Sequence, residues 1–411
     1  MAALVARQER GRVTLINDNE VYYDPYDFEI DADPYPVWTR MRDEAPLYYN
    51  EKYDFWALSR WDDVDRALLD WDTYRSGRGS ILELIRANIE IPSGVILFED
   101  PPAHHSHRQL TSRVFSPRKM AELEPKVREF CQRSLDSLIG SGNFDFIADL
   151  GAQMPMRTIG YLLGIPEQDQ EAIRDHLDEG LRLNDGEVPA MADTAELQAQ
   201  LFGDYIDWRA GHPSDDLMTQ LMNAEFEDEN GKTRTLTREE VINFVGLLAG
   251  AGNETTTRLI GWTGKLLGEH PDQRRQLAED RSLIPNAIEE ILRFEAPSPV
   301  QARYMEKGAE HYGQKIPAGS VMVLLNGSAN RDERHFPDGG QFDVHRDIGR
   351  HLSFGFGIHL CLGAALARLE GRVALDEVLN RFPDWEIDYD NAKQARTSTV
   401  RGWETLPVFT S

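Results

Sequence analysis

The sequence predicts a mainly α fold with small β-sheets, built as one large domain. Apolar residues recur at helical spacing through most of residues 119–270. Strand patterns are short and few. The 411 residues run without an internal repeat, a low-complexity tract or a long Ser/Gly linker. The best candidate break, Glu227-Asp228-Glu229-Asn230-Gly231, is an acidic turn too brief to link domains. With 41% hydrophobic and 28% charged residues, a sizeable core is expected.

Along the chain, residues 1–23 read as an irregular arm and residues 24–411 as the domain. Leu47-Tyr48-Tyr49 and Phe55-Trp56-Ala57-Leu58 flank a polar turn and predict a hairpin. Ile81 to Phe98 is rich in Ile, Leu and Val but broken by Gly and Pro. Asp100-Pro101-Pro102-Ala103 leads into a helix that sets His104 and Arg108 on one face, four residues apart. Thr237 and Glu240 form a T-x-x-E capping box. The helix it starts continues to about Leu267, before Gly268 and Pro271; roughly 30 residues span about 45 Å at 1.5 Å each. Val321-Met322-Val323-Leu324-Leu325 follows Pro317-Ala318-Gly319 and reads as a buried strand.

The middle of the long helix, Ala249-Gly250-Ala251-Gly252-Asn253-Glu254-Thr255-Thr256-Thr257, is poor helix material. Each glycine costs about 1 kcal/mol relative to alanine. Either a neighbouring helix crosses closely there, or the helix is grooved for a flat cofactor and a small gas molecule. A threonine hydroxyl there can also bond a carbonyl one turn earlier. Glu290-Ile291-Leu292-Arg293 on an apolar helix reads, by itself, as an exposed i,i+3 ion pair.

The chain has two cysteines, Cys131 and Cys361, which rules out a disulfide framework or a zinc site of several thiolates. Cys361 lies in Phe354-Gly355-Phe356-Gly357-Ile358-His359-Leu360-Cys361-Leu362-Gly363, ahead of Leu362, Leu366, Leu369 and Val373 at helical spacing. Unpaired N–H groups of a first helical turn predict a thiol pKa lowered from about 8.5. Glycines around the sulfur leave room for a large flat ligand. A buried, inert cysteine beside a tight turn is the alternative. A dinucleotide loop fits poorly, because no third glycine completes the G-x-G. His104, His105 and His107 suggest zinc only weakly, with no thiolate or carboxylate to complete a local set.

Phe354-Gly355-x-Gly357-x-His359-x-Cys361-x-Gly363, followed by Leu366-Ala367-Arg368, resembles the haem-ligand loop of the cytochrome P450 superfamily. Ala251-Gly252-x-Glu254-Thr255-Thr256 resembles its oxygen-binding helix, and Glu290-x-x-Arg293 its structural E-x-x-R pair. His104-x-x-x-Arg108 resembles its contact to the haem propionates, with Arg303 and His359 as further partners. Ala329-Asn330-Arg331-Asp332 and Phe336-Pro337 resemble the connection to the cysteine loop, except that Glu333 stands where the family often has proline.

The resemblance implies a single-domain P450 fold with haem b, held by Cys361 as iron ligand and cradled by His104, Arg108, Arg303, His359, Phe354, Gly355 and Ala251. It implies a monooxygenase inserting one atom of molecular oxygen into a small apolar substrate. Thr255 would hold a hydrogen bond to oxygen and Glu254 relay protons through water. Ile81 to Phe98, Leu247, Ala251, Val300 and Gln301 would line the pocket. Electrons would come indirectly from NAD(P)H through a ferredoxin reductase and a ferredoxin. Arg108, Arg113, Arg118, Lys119, Arg346, Arg350, Arg368 and Arg372 are candidates for a basic face receiving the ferredoxin. A peroxide-driven peroxygenase and a non-catalytic haem sensor are the rival readings. The acid–alcohol pair disfavours the first, and the lack of a signalling domain the second.

A formal net charge of −26 argues against a nucleic-acid partner. The N-terminus lacks both an apolar run near 20 residues and a signal-peptide pattern, which predicts a cytoplasmic protein without a membrane anchor.

Overall fold

Thr237 starts the element that organises the molecule. Its hydroxyl accepts from the Glu240 N–H, and the Glu240 carboxylate accepts from the Thr237 N–H at 2.8 Å, closing the expected capping box. The central helix, Arg238–Glu269, has 32 residues and so spans about 48 Å. It runs two residues past the expected end at Leu267. Gly268 does not stop it: a Cβ there would lie 2.8 Å from Ile387, so this glycine admits the C-terminal sheet. His270 caps the helix, and Pro271 opens the next one, Pro271–Glu279.

The computed structural model describes residues 4–9, 12–17, 20–112, 115–181, 194–397 and 400–410. Helices Pro117–Leu135, Met154–Leu163 and Ala364–Arg381 pack with the central helix around one large core that includes Phe244, Leu259, Trp262, Leu366 and Val373. Five short strands form a mixed sheet in the order Leu47–Asn50, Phe55–Leu58, Val321–Leu324, Gln301–Met305 and Tyr74–Arg75. The predicted hairpin pairs Leu47 with Leu58 and Asn50 with Phe55, and strand Val321–Leu324 is buried at every position. A three-stranded sheet and four two-stranded pairs complete the β structure among the described residues.

The arm before Asp24 departs from expectation. Leu4–Glu9 and Arg12–Asn17 pair antiparallel, from Leu4 opposite Asn17 to Glu9 opposite Arg12. No helix among the described residues is long and apolar enough to cross a membrane.

Glu290 and Arg293 are fully buried, which excludes the exposed reading. Arg293 donates to both Glu290 oxygens at 2.6 and 2.7 Å, and to the carbonyls of Asn330 and Gly339. Asn330 carries the network onward: its amide donates to Ser353 Oγ at 2.8 Å and accepts from the Leu352 N–H at 2.7 Å. The pair thus fixes the segment from which the cysteine loop departs. Glu333 leaves the local turn intact, with the His335 N–H bonded to the Asp332 carbonyl at 3.0 Å.

Candidate active site

The cysteine loop is held by its own backbone. The Cys361 N–H donates to the Phe354 carbonyl at 2.8 Å, and the Gly355 N–H to the Leu352 carbonyl at 2.9 Å. Gly355 and Gly357 adopt φ of +65° and +72°. A Cβ on Gly357 would lie 2.6 Å from the Leu68 carbonyl oxygen, so glycine is required there twice over. The ring of Phe354 lies under the Arg368 guanidinium at 4.5 Å. Helix Ala364–Arg381 begins at the N-cap Gly363, two residues after Cys361.

The Cys361 residue is exposed by surface area yet deep among protein atoms, so it fronts a protein-walled space. Burial pushes its thiol up, against the N–H groups of Gly363 and Ala364 and the guanidinium groups of Arg108 and Arg368. The expected lowering is therefore overturned. Helix-terminal N–H groups act as foreseen, but the density of protein atoms around the sulfur outweighs them.

His104, Arg108, Arg303 and His359 converge beside this loop. The His104 and His359 rings lie 4.4 Å apart. Both nitrogens of His104 and Nε2 of His359 are buried without a hydrogen-bond partner. Burial and the neighbouring cations push His104 down to about 4 and His359 to about 2. Arg108 Nη2 donates to the Leu360 carbonyl at 2.6 Å. Arg303 is 4% exposed and held down to about 10 by burial, with Asp100 acting the other way. Among the described residues its donors reach only the Ala302 carbonyl and the Gln301 side chain. A partly buried set of cations and donors, without a carboxylate in hydrogen-bonding contact among the described residues, suits an anionic ligand.

The middle of the central helix has one partly open face. Ala251 is exposed, and Leu247, Gly250 and Thr255 are half-buried, while Leu248, Ala249, Glu254, Thr256 and Thr257 are buried. Leu247, Ala251 and Thr255 share one face at four-residue spacing. The Thr255 hydroxyl donates to the Ala251 carbonyl at 2.8 Å, the back-bond anticipated from the sequence. A Cβ on Gly250 would make ordinary contact with Leu177 at 3.8 Å, whereas one on Gly252 would sit 3.3 Å from Ile159. Close helix packing therefore accounts for Gly252 but not for Gly250. The Thr256 hydroxyl lies 3.4 Å from Glu370 Oε2, marking where the central helix crosses the helix after Cys361.

Glu254 is placed differently from Thr255. Its carboxylate is 2.7 Å from Arg258 Nη2, and both residues are buried. Arg258 also donates to the Trp403 carbonyl. The i,i+4 spacing of Glu254 and Arg258 was a readable signal that the sequence reading left unused. Glu370 was missed too, although its spacing from Leu366 and Val373 puts it on the buried side of its helix.

The expected basic face is mostly neutralised within the chain. Arg118 and Lys119 pair with Glu122, Arg346 with Glu290, Arg350 with Asp65 and Arg368 with Glu289. Arg372 donates to the Arg368 carbonyl at 3.2 Å and has no carboxylate partner among the described residues. Arg113 lies outside the described residues.

The family model for cytochrome P450 matches residues 193–402. The putative cytochrome P450 123 of Mycobacterium tuberculosis is 39% identical over 399 residues, covering 96% of this chain and 98% of that one. The chain belongs to the cytochrome P450 family. Its P450 relatives include the cytochrome P450 monooxygenase PikC of Streptomyces venezuelae, 34% identical over 92% of this chain and 91% of that one. The structure of cytochrome P450 CYP109Q5 from Chondromyces apiculatus superposes with a TM-score of 0.83 at 32% identity, over 95% of this chain and 98% of that one. This P450 is accordingly an oxidoreductase of the monooxygenase class, in a haem-binding family.

Proposed function

We propose that this P450 binds haem b through Cys361 and hydroxylates a small apolar substrate on the side faced by Ala251 and Thr255. The observation that carries the reading is the convergence of His104, Arg108, Arg303 and His359, with unpartnered buried nitrogens, beside a cysteine that fronts the same space. Two propionates would accept from these donors, and Gly355 and Ala251 would flank the flat ligand. Haem with a thiolate ligand supplies oxygen activation favoured by the electron-rich sulfur.

The chain's own residues set the conditions. Leu247, Ala251 and Val300 offer the substrate apolar surface and keep water from it. Thr255 commits its proton to the Ala251 carbonyl, so its oxygen is left to accept a hydrogen bond from the open side. Glu254 serves as a proton source only by loosening its bond to Arg258. NAD(P)H would supply electrons through a ferredoxin reductase and a ferredoxin.

The test is the ferrous–CO spectrum of the haem-loaded protein. Thiolate ligation gives a strongly red-shifted Soret band, and Cys361→Ser should abolish it. A wild-type band without that shift, or an unchanged band in Cys361→Ser, would sink the assignment. Turnover with NADH, reductase and ferredoxin, compared with peroxide alone, separates the monooxygenase from a peroxygenase.

A further inference from the structure

Tyr74 and His311 form a polar pair that the reading above leaves unused. The buried Tyr74 hydroxyl is 2.7 Å from His311 Nε2. On the other side of the ring, His311 Nδ1 lies 3.9 Å from Asp63 Oδ1. That oxygen also accepts from Arg66 at 2.8 Å, and Tyr312 donates its hydroxyl to the other oxygen of Asp63. The carboxylate favours the tautomer with the proton on Nδ1, leaving Nε2 to accept from Tyr74. Burial holds His311 low, and Tyr74 is pushed up to about 12 by burial and by Asp70 and Asp63. A protonated phenol therefore faces a neutral imidazole.

Two further observations connect this pair to the candidate active site and to the surface. Tyr74 lies opposite Met305 in the sheet, two residues beyond Arg303 on the same strand. Two residues span about 7 Å along a strand, and paired strands lie about 5 Å apart, so the two backbones are close. Tyr74 also belongs to an apolar cluster with Trp61, Leu68 and Met305, and Phe356 of the cysteine loop packs against that cluster. In the other direction, a surface pocket of about 490 Å³ is lined by Tyr74, His311, Tyr312, Asp63, Asp70, Glu310, Arg66 and Ala67.

We propose that Tyr74 is a redox-active tyrosine, giving one electron to the haem centre as its hydroxyl proton moves to His311 Nε2. The proposal rests on the haem assignment above. A phenol that loses an electron becomes a very strong acid, so electron loss needs a proton acceptor already in hydrogen-bonding contact. The oxidant is a hydroperoxide, reduced to alcohol and water by two protons from solvent and two electrons, which Tyr74 passes on singly in two successive cycles, being re-reduced between them. In each cycle Tyr74 gives one electron: its O–H bond breaks, an N–H bond forms at His311, and a neutral tyrosyl radical remains. A small neutral one-electron reductant entering the pocket, such as a hydroquinone, restores the phenol with the proton held on His311. The pair would thereby drain oxidising equivalents from the protein interior to its surface.

The experiment uses the haem-loaded full chain, first checked by its ferrous–CO spectrum, then mixed with cumene hydroperoxide and freeze-quenched for electron paramagnetic resonance. The wild type should give a tyrosyl signal that falls severalfold in Tyr74→Phe, while haem bleaching by the peroxide accelerates severalfold. Tyr74→Phe keeps the ring and its packing. His311→Leu should lower the radical yield and remove the hydrogen-bond signature from the residual spectrum. An unchanged radical yield and line shape in both variants, with the ferrous–CO band intact, overturns the proposal. Loss of that band from the wild type instead overturns the haem assignment, and this proposal with it.

Discussion

Glu370 shows how burial alone sets the state of one side chain. It is 1% exposed, with the hydroxyls of Thr158 and Thr256 at hand. Burial pushes its carboxyl well above the usual range, and the two hydroxyls oppose this only in part. The folded protein thus keeps a proton that the unfolded chain releases near pH 4.5. The stability that depends on it is complete below that pH and declines as pH rises toward the folded value. Glu370→Gln should remove this decline, which approaches about 1.4 kcal/mol per pH unit within the window. Urea unfolding at stepped pH between 5 and 9 reads the difference; parallel curves for the two proteins would contradict it. Cys361 obeys the same physics. Its spacing to the helix start was visible in the sequence, but the protein atoms that crowd its sulfur come from residues remote in the chain.

At the scale of elements, the segment Ile81 to Phe98 resolves into a helix, Leu82–Ala87, and a single 3-10 turn, Ile96–Phe98. The stretch between them is anchored at one end to the start of the central helix. Ser93 Oγ donates to Glu240 Oε1 at 3.0 Å, and Asn243 Nδ2 donates to the Ser93 carbonyl at 2.8 Å. The Gly94 N–H donates to Glu99 Oε1 at 2.9 Å, and that carboxylate also meets His107 Nδ1. Burial works against the Glu240 carboxylate, yet Arg234, the Thr237 N–H and Ser93 together hold it down at about 2. One side chain therefore caps the central helix and tethers a candidate pocket wall. Glu240→Gln should cost about 1–3 kcal/mol, because it weakens a charged cap and its Arg234 bonds. Ser93→Ala should leave the melting temperature nearly unchanged while speeding proteolytic cleavage between Asn88 and Val95. Equal cleavage rates in Ser93→Ala and wild type would show that the tether does not restrain the segment.

At the scale of the molecule, a net charge of −26 must be reconciled with an electron donor that is itself expected to be acidic. Five of the seven described cations proposed for docking are paired with carboxylates in the chain. Arg372, without a carboxylate partner among the described residues, lines a cleft with Met120, Glu124, Pro285, Glu289 and Leu369. Reversing Arg372 to Glu should slow reduction by ferredoxin by roughly tenfold at low ionic strength and by much less at high salt. Stopped-flow reduction under CO measures this, and a salt-independent effect would argue against an electrostatic role.

The sequence alone determined the local elements and the family. A capping box, a period-3.6 core face, a strand after Pro317-Ala318-Gly319 and a glycine-rich turn before Cys361 are short-range patterns, written in neighbouring residues. Tertiary structure decided what pairing and desolvation do to those residues. It placed Glu254 against Arg258, set His104 beside His359 across 255 positions of sequence, neutralised most of the basic face and turned the expected shift at Cys361 around. The reason is physical. Periodicity and capping are properties of adjacent residues, whereas burial and charge pairing depend on neighbours that only folding brings near.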